Sequence, residues 1–184
     1  MAAWTAEIAR YNWASLSCAC NRGGAHLTLA VGRLLSGPFS DSEARAFESS
    51  AIDNHAVIQS VAFEPVVPLS SVLTAAAAET PDPGVRMAAY KALLDFLSCD
   101  SQEPPFAGDE PPLVLECRAI VASAKEVLYR DLLESQSVLS LFILEYCEVD
   151  EDRLHTAFAS VRGLLPRPLV WDEYKLFRRR DEWW

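Results

Sequence analysis

Residues 68–99 read PLSSVLTAAAAETPDPGVRMAAYKALLDFLSC, and this stretch decides the fold class. Apolar side chains recur on both sides of its centre with the three- and four-residue spacing of an amphipathic helix. Between them lies Thr80-Pro-Asp-Pro-Gly84, where two prolines and a glycine are typical of a tight turn. The stretch therefore predicts a hairpin of two helices, from Pro68 to Glu79 and from Val85 to Cys99.

The helical pattern continues toward the N-terminus. Residues 26–53 indicate a second hairpin, in which Ser40 and Glu43 form a capping box for the later helix. Residues 55–64 fit either an extended run or a short helix. Residues 1–21 open with apolar side chains that share one helical face, namely Trp4, Ile8 and Tyr11.

The pattern also continues toward the C-terminus. Residues 100–112 are rich in proline, glycine and acids, so we expect a surface loop there. The longest helix is predicted from Leu113 to Leu133. Two shorter helices are predicted from Val138 to Cys147 and from Asp150 to Val161, the last of them capped by Asp150.

These segments predict an all-α fold, either an irregular bundle or a short α-solenoid, because strand patterns are almost absent. The chain has 184 residues and is 51% hydrophobic, which is enough for one real core. No long polar linker divides it. We therefore expect a single domain over residues 1–184, in which residues 166–184 form an aromatic and charged tail.

A local motif adds a resemblance to this outline. Asp82-Pro-Gly-Val85-Arg86, between two apolar helices, resembles the D-x-x-V-R hinge of HEAT repeats. Asp82 is placed to cap the second helix, and Val85 to fill the seam between the pair. Arg86 is placed to reach a carboxylate of a neighbouring repeat.

A looser resemblance covers residues 13–165 and is to small HEAT-repeat-like α-solenoid proteins of actinobacteria-like genomes. It implies a short α-solenoid of HEAT-like helical hairpins. Several such proteins look like immunity partners of secreted toxins or like regulatory adaptors. The later repeat departs from the pattern, since Leu139 stands where arginine is expected. The resemblance is carried by Trp13, Leu16, Ala25, Leu34 to Ser36, Glu43 to Arg45, Gln59, Pro68, Val72, Leu73, Gly84 to Arg86, Cys117 and Arg118.

The charge balance restricts the partners. With 16 basic and 26 acidic residues the formal net charge is −10. This charge repels phosphate, so we expect neither nucleic acid nor an anionic membrane as a partner. A basic protein would be attracted, although an acidic surface that serves solubility alone explains the charge equally well.

The cysteines and histidines suggest no metal site from their spacing. Cys18 and Cys20 form a C-x-C pair without a matching second pair, and the five cysteines include no C-x-x-C. His26, His55 and His155 are far apart and lack helical ligand spacing. We expect surface or turn histidines, no disulfide framework, no metal and no cofactor.

Motifs of known catalytic sites are also absent from the sequence. It contains no G-x-S-x-G, P-loop or G-x-G-x-x-G pattern, so we expect a protein that is not an enzyme. The N-terminus lacks the charged start and apolar run of a signal peptide. No apolar stretch reaches the ~20 residues of a membrane helix. The cytoplasm is the expected location.

Two features suggest how a partner is bound. Trp183 and Trp184 end an aromatic tail, and we expect them either to contact a partner or to be disordered. Trp171 and Phe177 are expected to fold back over the last helix pair. An acidic run at a helix–turn–helix corner is either a solvated face or a docking patch that mimics phosphate. The run comprises Glu145, Glu148, Asp150, Glu151 and Asp152.

These observations favour a non-catalytic protein-binding module. Its sharpest form is an immunity protein that neutralises a basic, toxin-like effector by occlusion. The alternative is a HEAT-like regulatory or scaffolding adaptor. A HEAT-like DNA glycosylase is less favoured because it needs a basic concave surface for DNA.

Overall fold

The computed structural model describes residues 2–36, 40–59, 61–99, 111–135 and 137–164, and this part of the chain is mostly helical. Two short helices are present, a 3-10 helix at Trp13–Ser15 and a π-helix at Glu48–Ile52. Two strands of two residues each, β1 (Val57–Ile58) and β2 (Val61–Ala62), form an antiparallel pair. The α-helices are α1 (Ala3–Arg10), α2 (Leu27–Ser36), α3 (Asp41–Phe47), α4 (Val66–Glu79), α5 (Pro83–Leu97), α6 (Pro112–Ala122), α7 (Lys125–Ser135), α8 (Val138–Cys147) and α9 (Glu151–Val161).

Two helices, α4 and α8, form the centre of the core. Their side chains are apolar around most of the helix, and most of them are buried. A helix of this kind must be enclosed on several sides. Accordingly α4 packs against α1, α5 and α6, whereas α8 packs against α5, α6, α7 and α9. The all-α prediction is thus confirmed.

The first helix is held on α4 by its polar side as well as by its apolar side. Trp4 and Ile8 pack against the core. The hydroxyl of Ser71 donates to the Glu7 carboxylate, and Glu79 accepts from the backbone N–H of Ala3 at 2.8 Å. The bond from Ser71 lowers the pKa of Glu7. These contacts fix the N-terminal segment at one side of the core.

The turn between α4 and α5 has the contacts that its sequence predicts. The Asp82 carboxylate accepts from the backbone N–H of Gly84 at 2.8 Å and of Val85 at 3.3 Å, so it caps α5. Val85 is buried. The Nε of Arg86 lies 3.4 Å from the carboxylate of Asp131 on α7. The helix–turn–helix prediction for residues 68–99 is therefore confirmed, although α4 begins two residues before Pro68 and α5 runs from Pro83 to Leu97.

Asp131 connects two helices inside the molecule. Its side chain is 3% exposed and accepts a hydrogen bond from the hydroxyl of Tyr90 at 2.8 Å. Arg86 and Arg130 supply the opposite charge. Burial, and then the bond to Asp131, raise the pKa of Tyr90 above its usual value, which keeps the hydroxyl a donor. The carboxylate thereby joins α5 to α7.

The predicted single helix from Leu113 to Leu133 is wrong. The chain forms α6 and α7 instead, with a turn at Ser123 and Ala124. The hydroxyl of Ser123 donates to the carbonyl of Ile120 at 2.6 Å, which competes with the helical pattern there. The two halves share α8 as a neighbour but otherwise pack differently: α6 contacts α4 and α5, and α7 contacts α9.

The remaining segments follow their predictions more closely. The ambiguous run at residues 55–64 contains the short β1–β2 pair, so it is partly extended. Ser137 caps α8 and Asp150 caps α9, each accepting from a backbone N–H. The predicted loop lies almost wholly outside the described residues. None of the described helices is long and apolar enough to cross a membrane.

Replacing Asp131 with alanine should destabilise the fold strongly. Arg86 and the Tyr90 hydroxyl would then keep no carboxylate partner in a buried site. Removing one member of such a pair costs about 3 kcal/mol or more. Urea denaturation of the two proteins measures the difference in the free energy of unfolding. Glu116→Ala, at an exposed position of α6, should change it by less than about 0.5 kcal/mol. Equal effects of the two substitutions would contradict this role of Asp131.

Candidate functional site

The predicted acidic patch divides into a buried and an exposed part. Glu148 is buried, with a side chain that is 0% exposed, and Glu145 is half-buried. Asp150, Glu151 and Asp152 are exposed at the start of α9. We refer to these three exposed residues, together with Val149, as the acidic corner. The expectation that Glu148 contacts a partner is corrected here, because its carboxylate points into the protein.

Glu148 holds the turn between α8 and α9. Its Oε1 accepts from the backbone N–H of Val149 at 3.0 Å and of Asp150 at 3.1 Å, and from the ammonium of Lys125 at 3.2 Å. Burial by itself raises the pKa of this carboxyl. The bonds from the backbone of Asp150 and from Lys125 outweigh burial and lower the pKa to about 2. Glu148 is therefore charged at neutral pH and fixes the backbone of the corner.

Arg153 supports the same turn from the side of α9. Its guanidinium makes two hydrogen bonds to the Glu126 carboxylate, at 2.8 and 2.7 Å. It lies over the ring of Tyr129, 4.0 Å from the centroid, and 3.8 Å from Glu148 Oε2. A planar guanidinium is suited to such combined stacking and paired bonding. The turn that carries the acidic corner is thus held by several polar contacts.

The exposed part of the corner combines charge with an apolar tip. Val149 is 92% exposed at the tip of this turn. Asp150 also caps α9, accepting from the backbone N–H of Arg153 at 3.0 Å. Trp183 and Trp184, the other predicted contact residues, lie outside the described residues. The structure therefore brings three of the seven predicted residues together at an exposed site.

A second group of reactive side chains lies near the N-terminus. The ligand-type atoms of Cys18, Cys20, His26 and His55 all lie within 4.8 Å of one another. Cys18 Sγ is 3.2 Å from Cys20 Sγ, and His26 Nε2 is 3.0 Å from His55 Nδ1. The two sulfur–nitrogen neighbours, Cys18 with His55 and Cys20 with His26, are 4.0 and 3.7 Å apart. We call these four residues the Cys–His cluster.

Irregular backbone brings the Cys–His cluster together. Cys18 and Cys20 follow the helix Trp13–Ser15, His26 precedes α2, and His55 precedes β1. The backbone N–H of Ala19 donates to the carbonyl of His55 at 3.0 Å, which joins the two loops directly. Gly23 has φ of 69°, and a Cβ there would lie 2.6 Å from the carbonyl oxygen of Ala14. A glycine is therefore required for the turn between the cysteines and His26.

The environment of the cluster is partly buried. Cys18 is buried, and the other three side chains are half-buried. Burial raises the pKa of the Cys18 thiol. Burial, the neighbouring His26 and then Arg22 lower the pKa of His55, so its ring favours the neutral form at neutral pH. A neutral imidazole is the form that can bind a metal.

Sequence reasoning missed this convergence. The helical-spacing test applied to the histidines was unsuitable, because His26 and His55 lie next to helices and not within them. A usable signal was the C-x-C pair followed by Asn21-Arg-Gly-Gly24 and then His26. The fourth residue, His55, is 29 positions from His26 and meets it only through the fold. His155, the third histidine, lies on the exposed side of α9.

Replacing Glu148 with glutamine should lower the melting temperature at pH 7. Hydrogen bonds to a charged group contribute about 2 kcal/mol, which corresponds to roughly 4–8 °C for a domain of this size. The pKa of Glu148 is lower in the folded chain than its usual 4.5. Its charge therefore stabilises the fold above about pH 4.5, and this contribution is lost as the pH falls toward 2.

Melting curves of both proteins at several pH values measure this effect. The difference between wild type and Glu148→Gln should shrink as the pH falls through that window. Glu151→Gln, an equal charge change at an exposed neighbour, serves as the control and should have little effect. A difference between wild type and Glu148→Gln that does not depend on pH would refute the anchoring role of the carboxylate.

Comparisons with known proteins give no relative for this chain. No protein-family model, no curated protein and no solved structure matches it. The likeness to HEAT-like proteins therefore stays a prediction, and any function must be inferred from the chain's own side chains. Two sites are available for that inference, namely the acidic corner and the Cys–His cluster.

Proposed function

We propose that this protein is a non-catalytic protein-binding module that uses the acidic corner as its contact surface. The observation that carries the proposal is the exposed tip at Val149, which buried Glu148 holds in place. Asp150, Glu151 and Asp152 directly follow this tip in the chain, and they are exposed and negatively charged. An apolar centre with a charged rim is the usual arrangement of a protein contact surface.

The rigidity of the turn favours binding. A flexible loop must be ordered when it binds, and that ordering reduces the affinity. The corner is ordered beforehand, because Glu148 accepts from two of its backbone N–H groups and from Lys125. A partner would meet Val149 and the three carboxylates in place. This advantage does not depend on the solubility that an acidic surface also provides.

Charge complementarity selects the kind of partner. The chain carries a formal net charge of −10, and a basic protein surface would be steered toward it. In its sharpest form, the proposal is a cytoplasmic immunity protein that covers the basic active site of a toxin-like effector. The carboxylates of the corner would then occupy positions that phosphate groups take in the effector's substrate.

A second candidate is a HEAT-like adaptor with a short solenoid of helical hairpins. The contact that favours it is the ion pair between Arg86, at the α4–α5 turn, and Asp131 on a later helix, with Asp82 capping α5. Such a protein would present a helix face to its partner rather than the corner. A DNA glycosylase is disfavoured by the negative charge, and DNA binding at physiological salt would revive it.

Neutralising the corner should slow association with a basic partner. We expect Asp150→Asn/Glu151→Gln/Asp152→Asn to retain its fold, because asparagine also caps a helix well. Its on-rate should fall about tenfold or more at low salt and depend less on salt, since charge acts mainly on the encounter. The partner is first identified as an effector that the wild-type protein retrieves and protects against on co-expression. Surface plasmon resonance with this effector then measures the on-rate.

The control carries the same charge change at other exposed positions, in Asp53→Asn/Glu116→Gln/Glu134→Gln. If net charge alone mattered, both triple variants would slow association equally, and the corner would be rejected. Val149→Ser should leave the on-rate nearly unchanged and accelerate dissociation. If neither the triple variant of the corner nor Val149→Ser weakened binding, the result would favour the adaptor. The helix faces that an adaptor would use are intact in both of these variants.

A further inference from the structure

We propose that Cys18, Cys20, His26 and His55 bind one Zn²⁺ ion as a structural site. Two thiolates and two imidazoles are a ligand set that zinc favours in proteins. Within the described part of the chain, this is the one group of three or more potential ligand residues brought together in this way. Its position next to α2 and β1 separates it from the acidic corner, so the two proposals are independent.

The distances fit a tetrahedral site. Zinc bonds of about 2.3 Å to sulfur and about 2.0–2.1 Å to nitrogen place neighbouring ligand atoms about 3.3–3.8 Å apart. In the cluster, the sulfurs are 3.2 Å apart, the imidazole nitrogens 3.0 Å and the two sulfur–nitrogen neighbours 4.0 and 3.7 Å. No pair exceeds 4.8 Å. Shifts of under about 1 Å, within the reach of side-chain rotation, would complete the geometry.

The number of ligands indicates the role of the ion. A catalytic zinc keeps one position open for water or substrate, whereas a structural zinc is enclosed by four protein ligands. Here four side chains converge, and each supplies one ligand atom. Because three of them are half-buried, the ion can still be exchanged through the surface. The site is therefore expected to stabilise the fold and to take no part in a reaction.

The local backbone explains what such an ion would stabilise. Between α1 and α2, the chain has a single turn of helix, Trp13–Ser15, so few regular hydrogen bonds hold it. The loop that carries His55 has only the two-residue strands β1 and β2 after it. The ion would join these two irregular segments at four points. Metal binding of this kind contributes directly to folding stability.

The alternative is a cluster held by hydrogen bonds alone. His26 and His55 are close enough to share a proton, and the Cys18 thiol donates to the carbonyl of His55 at 3.3 Å. In that arrangement the thiols would make only weak bonds. The two possibilities predict different metal contents, so the measurement of zinc distinguishes them.

The test uses the full chain, purified under reducing conditions and equilibrated with ZnSO₄. Elemental analysis after gel filtration should find about one zinc per chain, retained against a competing chromophoric chelator. Cys20→Ser/His26→Asn should retain almost none. Cys99→Ser/His155→Asn removes one cysteine and one histidine outside the cluster, and it should bind zinc like the wild type.

Hydrogen exchange keeps the proposal testable if a variant is poorly folded. Adding Zn²⁺ to metal-free wild-type protein should slow exchange at residues 16–26 and 52–58, by about tenfold or more, and leave α8 unchanged. Wild-type protein without retained zinc would overturn the proposal. So would retention by Cys20→Ser/His26→Asn at the wild-type level, or zinc-dependent protection that is absent from the two loops. None of these outcomes bears on the acidic corner, which is tested by partner binding.

Discussion

The enclosure of α4 and α8 is the constraint on which the rest of the structure depends. Both helices are apolar on nearly every side, so each must be covered by several neighbours. This requirement divides the long apolar run at residues 113–133 into α6 and α7, which cover different parts of the centre. It also places α1 against α4. The short connections and the irregular segments are then left at the surface of the core.

Buried charged groups determine how the surrounding helices meet. Asp131 joins α5 to α7, and Glu148 joins the α8–α9 turn to Lys125 on α7. Each carboxylate has several donors, which offset the cost of removing it from water. These two residues provide polar contacts at defined positions between the helices. The contacts of Glu148 fix the turn that carries the acidic corner.

Prediction from the sequence succeeded where the deciding contacts are local. Asp82 caps a helix that begins at the next residue, and Val85 is buried in the first turn of that helix, so both follow from neighbouring residues. Glu148 was not distinguishable from Glu151, because its role depends on Lys125, 23 residues away. The Cys–His cluster depends in the same way on the meeting of two loops. Long-range pairing, which helical periodicity does not encode, accounts for both failures.

Both candidate sites lie on irregular segments of this small helical protein. Its core supplies rigidity, and its irregular segments carry the exposed or reactive side chains. At the corner, hydrogen bonds to Glu148 fix such a segment. At the N-terminal loops, the proposed zinc ion would do so, since the backbone there has little regular structure. We therefore propose that a zinc ion bound to Cys18, Cys20, His26 and His55 orders these two loops.

X-ray absorption at the zinc edge tests that claim most directly. On wild-type protein loaded with one equivalent of Zn²⁺, the account predicts two sulfur ligands at about 2.3 Å and two imidazole nitrogens at about 2.0–2.1 Å. A shell of oxygen and nitrogen without sulfur would contradict it, because the ion would then be bound elsewhere on this acidic chain.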